Sequence, residues 1–250
     1  MSKYRKQYYD TAISIFDDIM KEGEAIEQAS KLMAKAIMDD KLIHVIGTGG
    51  HSNMGAQEML WRAGGLVPID AILDGGTALI NGAKRSNVVE RLHGYAKAVF
   101  DSYRINDGVL IIVNAYGINP FTIDSALEGK NRGIPTIGVT STSFAEKVPR
   151  EHPARHSSGK SLHEIVDVFV NCHLPYGDAA VKFENLEQKV APTATLANTF
   201  TVNLLVVETV KILLENNFDP PMWKSANVPG GDESNKKYED LFGGRIKHLL

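Results

Sequence analysis

The chain has 250 residues, with 27 lysines and arginines against 30 acidic residues and a formal net charge of −3 at pH 7. This balance gives no positive field for nucleic acid, and no apolar run approaches the roughly 20 residues that cross a bilayer. The one cysteine, Cys172, excludes an internal disulfide and fits a reducing compartment. The mixed-charge N-terminus carries no signal-peptide pattern. We therefore expect a cytoplasmic protein with neither a nucleic-acid nor a membrane partner.

Hydrophobic spacing predicts helix over residues 3–40, with a break at Gly23. Five short apolar runs follow and predict strands at residues 42–46, 66–73, 108–113, 135–139 and 166–170. Helical segments are predicted near residues 53–63, 86–103 and 119–132, with a less regular one near 142–164. A long apolar helix near residues 193–216 precedes a tail rich in proline, glycine, asparagine and charge.

The third and fourth apolar runs are almost continuous in apolar and β-branched residues. Strands of this kind are covered on both faces, as in a parallel sheet between two layers of helices. Alternating strands and helices therefore predict a doubly wound α/β fold, a three-layer αβα sandwich. No linker or internal repeat divides the chain, so we predict one domain, with helices over 1–40, a core over 41–216 and an arm over 217–250.

The sharpest motif is the glycine-rich loop after the first predicted strand, which reads Gly47-Thr48-Gly49-Gly50-His51-Ser52-Asn53. Glycines let a backbone approach a ligand closely, and free N–H groups at the start of the next helix attract an anion. Thr48 and Ser52 add hydroxyl donors. A tight turn with Ser52 or Asn53 as helix N-cap also fits these residues, and the two interpretations are compatible. The motif favours a phosphate-binding loop.

A dinucleotide site is the competing interpretation of this loop. The dinucleotide fingerprint requires glycine at its first, third and sixth positions, and Ser52 stands at the sixth. Asp70 and Asp74 lie near the place where a ribose-binding acid is expected. The surrounding polar loops suit a small polyol phosphate better than a nicotinamide ring, so we expect no redox cofactor.

Two more polar loops follow predicted strands. Residues 114–120 leave the third strand, and residues 140–143 leave the fourth. In a parallel sheet of flavodoxin-like order, the loops after strands one and three flank the point where ligands bind. We therefore expect three polar loops to meet at one edge of the sheet and to form a site for a sugar phosphate.

With these loops identified, the chain resembles the sugar isomerase (SIS) domain family, and in particular bacterial SIS proteins labelled phosphoheptose isomerases. The resemblance is carried by the His51-Ser52 loop, Glu58 with residues 62–65, and residues 84–95, 113–119, 140–141, 158–160, 177–178 and 224–228. It implies a five-stranded parallel sheet of flavodoxin-like order between helices. It also implies a homodimer or larger assembly and a phosphorylated sugar as the ligand.

The loops and the resemblance together give a set of expected substrate-binding residues. They are Thr48, Gly49, Ser52, Asn114, Tyr116, Gly117, Asn119, Thr140, Ser141, Thr142, Asp178 and Lys224. Two places depart from the family pattern. The family's third-strand loop reads Ser-x-Ser-Gly, and here Asn114 and Tyr116 replace the serines. Trp61 stands where phosphoheptose isomerase-like sequences carry their acid/base glutamate.

Aldose–ketose isomerisation through an enediol needs a group that moves a proton, and a carboxylate or an imidazole can do this. The predicted catalytic residues are Glu58 beyond the loop, His51 within it, and Glu90, which shares a predicted helix face with His93. Each also has a structural interpretation. Glu58 can pair with Arg62, His51 can cap the loop, and Glu90 can lie on a solvated helix face.

No metal site is expected from the sequence. His152, His156 and His163 lie close together, but Pro153 interrupts the helical register and no cysteine or clear carboxylate completes a ligand set. The sequence thus predicts a sugar-phosphate isomerase without metal or redox cofactor. A non-catalytic sugar-phosphate sensor, and a lyase or deaminase acting on an amino-sugar phosphate, stay open as alternatives.

Overall fold

The computed structural model describes residues 2–249. In it, the segments with regularly spaced apolar residues form helices and strands. The α-helices are α1 (Lys3–Ile19), α2 (Gly23–Met38), α3 (Asn53–Met59), α4 (Ala83–Val89), α5 (Tyr95–Tyr103), α6 (Pro120–Asn131), α7 (Thr142–Lys147), α8 (Ala194–Glu215) and α9 (Gly231–Phe242). The strands are β1 (Ile43–Gly47), β2 (Ile69–Ile72), β3 (Val109–Val113), β4 (Thr136–Thr140), β5 (Val168–Asn171), β6 (Ala179–Val181) and β7 (Val190–Pro192). The predicted break at Gly23 is confirmed, since α2 begins there.

The main sheet has five parallel strands in the order β2-β1-β3-β4-β5. Strand β1 lies between β2 and β3, with Ile43 opposite Ile69 of β2 and Val109 of β3. This is the predicted doubly wound sheet, and its order reverses between β1 and β3. The carboxyl ends of these two strands therefore face the crevice where ligands bind in open α/β sheets.

Alternate side chains of the central strands enter two separate cores, which explains why β3 is apolar at every position. Val45 of β1 packs in a core with α1, α2, α3 and α8. Ile46, the next residue, packs in a second core with α5, α6 and the turn at Leu162. The predicted three-layer αβα architecture is confirmed.

Helix α8 has the length and apolar composition of a membrane-crossing helix. Half of its most apolar window is nevertheless buried within the fold, where Val202 and Leu205 pack in the same core as α2 and the sheet. Packing inside the protein accounts for this composition without a bilayer.

Two local predictions were wrong, and one pair of strands was not predicted. The helix predicted over residues 86–103 is two helices, because Gly94 takes a left-handed conformation at φ 77° between α4 and α5. The helix predicted over residues 53–63 ends at Met59, since Leu60 is extended and Trp61 has φ 54°. The antiparallel pair of β6 and β7 was not predicted, because each strand has three residues and no period to detect.

The C-terminal arm, residues 217–249, packs beside β2 and contains α9. The backbone of Trp223 exchanges hydrogen bonds with Gly64 and Gly65. Its side chain forms a third apolar cluster with Val67, Phe242 and Ile246. The arm is therefore part of the folded body in this chain.

Replacing Phe242 with alanine tests this packing. Phe242 is 6% exposed, so Phe242→Ala should lower the free energy of unfolding by about 3 kcal/mol through lost burial and a residual cavity. Its neighbour Leu241 is 59% exposed, and Leu241→Ala should change it by less than about 0.5 kcal/mol. Urea unfolding measures both variants, and equal losses would show that the arm does not contribute as described.

Candidate functional site

A cavity of about 350 Å³ opens at the carboxyl ends of β1 and β3. Its walls come from the glycine-rich loop, the loop after β3, helix α4 and the first turns of α8. Eight of the predicted site residues line it: Gly49, His51, Ser52, Glu90, Asn114, Tyr116, Asn119 and Asp178. The structure thus brings residues from four distant parts of the chain to one concave site.

The glycine-rich loop turns back sharply after β1. A Cβ atom at residue 47 would collide with the backbone of Ser52 and Asn53, so only glycine fits there. Within residues 2–249, the backbone N–H groups of residues 49–52 donate no hydrogen bond, although Gly49 is buried. All four residues line the cavity. These N–H groups are therefore available to an anion.

Thr48 holds the two main loops together and does not line the cavity. Its carbonyl oxygen accepts hydrogen bonds from Asn114 Nδ2 and Asn119 Nδ2, both at 3.1 Å. Its hydroxyl lies 2.6 Å from the Thr122 hydroxyl on α6. Thr48 is fully buried, so its side chain stabilises the loop from within the fold.

The carboxamides of the loop after β3 are used mainly to shape the loop. Asn114 Oδ1 accepts from the backbone N–H groups of Tyr116 and Gly117, at 3.1 and 2.9 Å. Asn119 is the N-cap of α6, and its Oδ1 accepts from Thr122 N at 2.8 Å. Both residues border the cavity, but their oxygens are already engaged.

Tyr116 lies at the mouth of the cavity and is 40% exposed. Its ring stacks on Phe144, with centroids 4.0 Å apart. Partial burial, together with the negative charge of Asp178, raises the pKa of the Tyr116 phenol to about 12. The phenol therefore stays protonated at neutral pH and can donate a hydrogen bond.

Glu90 places a carboxyl group against the glycine-rich loop. The residue is the C-cap of α4, and a Cβ atom at Gly49 would lie 2.9 Å from its Oε2. Asn87 Nδ2 lies 3.4 Å from its Oε1. Burial raises the pKa of Glu90 to about 7, against a smaller opposing effect of Arg91. Such a carboxyl can both give and take a proton near neutral pH.

The N-terminus of α8 forms the opposite wall and is already capped. Asp178 Oδ1 accepts from the backbone N–H groups of Thr193 and Ala194, at 2.7 and 2.8 Å. The carboxylate thus satisfies two of the donors that would otherwise attract an anion at this helix. Asp178 was predicted to bind substrate, and the structure gives it this capping role at the cavity wall.

Four predicted residues from the loops after β3 and β4 lie outside the cavity lining. Gly117 has φ 63° and contacts the Thr140 side chain. The Thr140 hydroxyl is buried and has no hydrogen-bond partner within residues 2–249. The Ser141 hydroxyl donates to the Leu174 carbonyl at 2.8 Å, and Thr142 begins α7. These residues join β3, β4 and β5 beneath the site.

Glu58 and Lys224 are also placed away from the cavity lining. Glu58 Oε1 lies 3.3 Å from Arg62 Nε and 3.3 Å from Asn203 Nδ2 on α8. Lys224 Nζ donates to the Pro229 carbonyl at 2.9 Å, and its backbone N–H donates to Asn235 Oδ1. Glu58 therefore forms the ion pair with Arg62 that the sequence offered as its structural role. Lys224 stabilises the arm.

The sequence analysis missed two walls of the cavity. The first wall is α4 with the turn before it, and it contains Leu79, Ala83, Ser86 and Asn87. The second wall is Pro192 with the start of α8, and it contains Ala194, Thr195 and Asn198. The α8 residues were included in a helix interpreted as core or interface. The sequence held one signal for this wall, because an asparagine lies within the apolar first turns of that helix.

A separate cluster joins His93, Asp124 and His156, whose candidate metal-ligand atoms lie within 4.8 Å of one another. His156 Nε2 lies 3.1 Å from Asp124 Oδ1, and its Nδ1 lies 2.7 Å from the Ser158 hydroxyl. Burial lowers the pKa of His156 below its ordinary value. These hydrogen bonds account for the buried pair, and the expectation of no metal stays a prediction.

Comparison with known proteins agrees with this architecture. The model of the SIS domain matches residues 7–141, more than half of the chain. A UPF0309 protein of Caldanaerobacter subterraneus is 36% identical over 230 residues, covering 90% of this chain and 92% of the relative. A UPF0309 protein of Shouchella clausii is 34% identical over 250 residues, covering 99% and 98%. The chain therefore belongs to the SIS-domain family.

Solved structures show the same fold at lower sequence similarity. A phosphoheptose isomerase from Francisella tularensis is 18% identical, with a TM-score of 0.51, over 84% of this chain and all of that one. A phosphoheptose isomerase from Neisseria gonorrhoeae is 18% identical, with a TM-score of 0.50, over 82% and 95%. At this identity the likeness establishes the fold alone.

The raised pKa of Glu90 predicts a pH-dependent stability. Its carboxyl ionises near 4.5 in the unfolded chain and near 7 in the folded one, so the charged form destabilises the fold. That penalty is absent below about pH 4.5 and complete above about pH 7. Glu90→Gln should therefore raise the melting temperature more at pH 8 than at pH 5. A difference that is equal at both pH values would contradict the burial of this carboxyl.

Proposed function

We propose that this protein binds a sugar phosphate in the cavity and interconverts its aldose and ketose forms. The observation that carries the proposal is the position of the Glu90 carboxyl beside the glycine-rich loop. An anion site and a proton-transfer group then lie next to each other. Membership of the SIS-domain family supports it, as does the fold shared with phosphoheptose isomerases.

The phosphoryl group is assigned to residues 49–52. Their free backbone N–H groups form the anion site, and the Ser52 hydroxyl adds a donor. No lysine or arginine among residues 2–249 lines the cavity. Backbone dipoles and hydroxyls therefore supply the attraction, which suits a mono-phosphorylated sugar better than a polyphosphate.

Proton transfer is assigned to Glu90. The ionised carboxyl removes a proton from the carbon beside the carbonyl, and the electron pair of that bond forms the enediol. The carbonyl oxygen takes up a proton as the enediol forms. The protonated carboxyl then returns its proton to the former carbonyl carbon, while the hydroxyl on the adjacent carbon loses its proton and becomes the new carbonyl, which completes an isomerisation with no net oxidation. We assign proton donation to the substrate oxygen to His51, which is exposed and lines the cavity. This chemistry needs neither a metal nor a redox cofactor.

Non-catalytic binding of a sugar phosphate is the second candidate. It is favoured by Trp61, which stands where similar isomerase sequences carry their glutamate, and by the engaged oxygens of Asn114 and Asn119. A protein of this kind would sense the sugar phosphate without turning it over.

We also propose that the protein is a cytoplasmic homodimer or larger homo-oligomer. Val207 and Leu214 on α8 are 65% and 58% exposed, and large apolar side chains on a long helix are typical of subunit contacts. No partner beyond the small molecule and a second copy is proposed.

The test uses two matched variants. Thermal shift with aldose, ketose and amino-sugar phosphates identifies the tightest ligand, because binding to the folded state raises the melting temperature. Proton exchange at C2 in deuterated water then measures turnover. Glu90→Gln should retain binding, since shape and most hydrogen bonds remain, and should lower exchange by roughly 10²–10⁴. Glu58→Gln, the same change outside the cavity, should keep both.

The outcomes separate the candidates. If proton exchange continues in Glu90→Gln but is lost in Glu58→Gln, then Glu58 is the base. Binding without exchange in the wild-type protein would establish the sensor. Exchange confined to an amino-sugar phosphate with loss of ammonia would indicate a deaminase.

A further inference from the structure

The carboxylate of Asp124 joins two segments that border the cavity from different parts of the chain. Asp124 lies in the first half of α6, and its side chain is largely buried. Its Oδ2 accepts a hydrogen bond from the backbone N–H of Gly94 at 2.7 Å. Its Oδ1 lies 3.1 Å from His156 Nε2. Gly94 follows the helix end that carries Glu90, and His156 is bound to the loop after β3.

Helix α6 holds the turn after Glu90 at both of its ends. The Glu90 carbonyl accepts from the backbone N–H of Phe121 at 3.0 Å, one of the donors that the first turn of a helix leaves free. Gly94, four residues later, donates to Asp124, which lies one turn further along α6. The contact of the Glu90 carboxyl itself with Asn87 is long, at 3.4 Å. The position of Glu90 therefore depends on its backbone and on α6.

His156 connects Asp124 to the loop after β3. The backbone N–H of His156 donates to the Ile118 carbonyl at 2.8 Å, in the loop that also carries Tyr116. The His156 Nδ1 accepts from the backbone N–H of Ser158 at 3.1 Å. Because Nδ1 accepts, the proton of the neutral ring is on Nε2, which donates to Asp124. The imidazole thus has a defined tautomer and a defined partner at each nitrogen.

A carboxylate suits this position because both of its partners are donors. Each carboxylate oxygen accepts from one of them, whereas a carboxamide has one acceptor oxygen and would turn its NH₂ group toward the other donor. Aspartate is a weaker helix former than alanine, and burial of its charge is unfavourable. The hydrogen bonds to Gly94 and His156 offset these two effects.

We infer that Asp124 is a positioning residue, which holds the Glu90 carboxyl in a fixed place relative to the loop after β3. Asp124 does not line the cavity, and it acts through Gly94 on one side and His156 on the other. This inference rests on the proposed role of Glu90 in proton transfer.

The test compares Asp124→Asn with Asp167→Asn, the same change at an aspartate remote from the cavity. Asp167 Oδ2 accepts from the backbone N–H and the hydroxyl of Thr136, both at 2.8 Å, at the amino ends of β4 and β5. Proton exchange with deuterated water gives kcat and KM for ribose 5-phosphate, fructose 6-phosphate and sedoheptulose 7-phosphate. Asp124→Asn should lower kcat about tenfold or more, because a small displacement of the base slows proton transfer, and should leave KM within about twofold. Asp167→Asn should leave both unchanged.

The pKa of Glu90, measured by carboxyl ¹³C NMR, gives a second readout that needs no substrate. Burial raises this pKa to about 7, against a smaller opposing effect of Arg91. A loosened turn admits water to the carboxyl, so the pKa should fall toward its ordinary value in Asp124→Asn and stay raised in Asp167→Asn. His156→Leu, which keeps the charge of Asp124 and breaks its contact with the imidazole, should change kcat and this pKa in the same direction.

Equal losses of kcat in Asp124→Asn and Asp167→Asn would show a general effect on stability and would overturn the inference. A Glu90 pKa that stays raised in both Asp124→Asn and His156→Leu would overturn it as well. If the wild-type protein exchanges no proton with any of the three sugar phosphates, the proposed isomerisation of these substrates fails. The comparison of Glu90 pKa values then still decides whether Asp124 positions the carboxyl.

Discussion

One backbone carbonyl group, that of Thr48, holds together the two loops on which the site depends. It accepts hydrogen bonds from Asn114 and Asn119 at the same time, so the loop after β1 and the loop after β3 are fixed in one arrangement. The side chains of Asn114 and Asn119, which the sequence analysis assigned to ligand binding, therefore stabilise the loops. The backbone of residues 49–52 is what remains free for an anion. In the proposed function, binding of the phosphoryl group is thus a property of the backbone, which needs the close turn at Gly47.

The electrostatics of the cavity also depend on which hydrogen-bond donors contact each carboxyl group. Among residues 2–249 the cavity lining contains the carboxyl groups of Glu90 and Asp178 and no lysine or arginine. Asp178 accepts hydrogen bonds from two backbone N–H groups, because it caps α8. Glu90 has a longer contact, 3.4 Å from Asn87 Nδ2, and burial raises its pKa to about 7. The two acids therefore have different roles despite similar depth: one organises a helix terminus, and the other is available for proton transfer.

The sequence was sufficient for the sheet and for the position of the cavity, because both follow from strong local signals. Apolar strands covered on two faces predict a parallel sheet, and polar loops after β1 and β3 predict the ligand edge. Individual side-chain roles were harder to predict, since they depend on contacts between distant segments. Glu58 looked like a base because it follows the loop, yet Arg62 and Asn203 hold it outside the cavity. Asn198 was hidden in an apolar helix, because helical spacing does not show which residue borders a cavity formed by other elements.

The central claim is that backbone N–H groups of residues 49–52 bind the phosphoryl group. Amide chemical shifts of uniformly ¹⁵N-labelled protein, recorded as the tightest sugar phosphate is titrated in, test it most directly. The account predicts that the amides of Gly49, Gly50, His51 and Ser52 move downfield together as they form hydrogen bonds to the phosphoryl oxygens. The same four amides should move with inorganic phosphate alone. Shifts concentrated at the start of α8 or in the loop after β3, with these four unchanged, would contradict it.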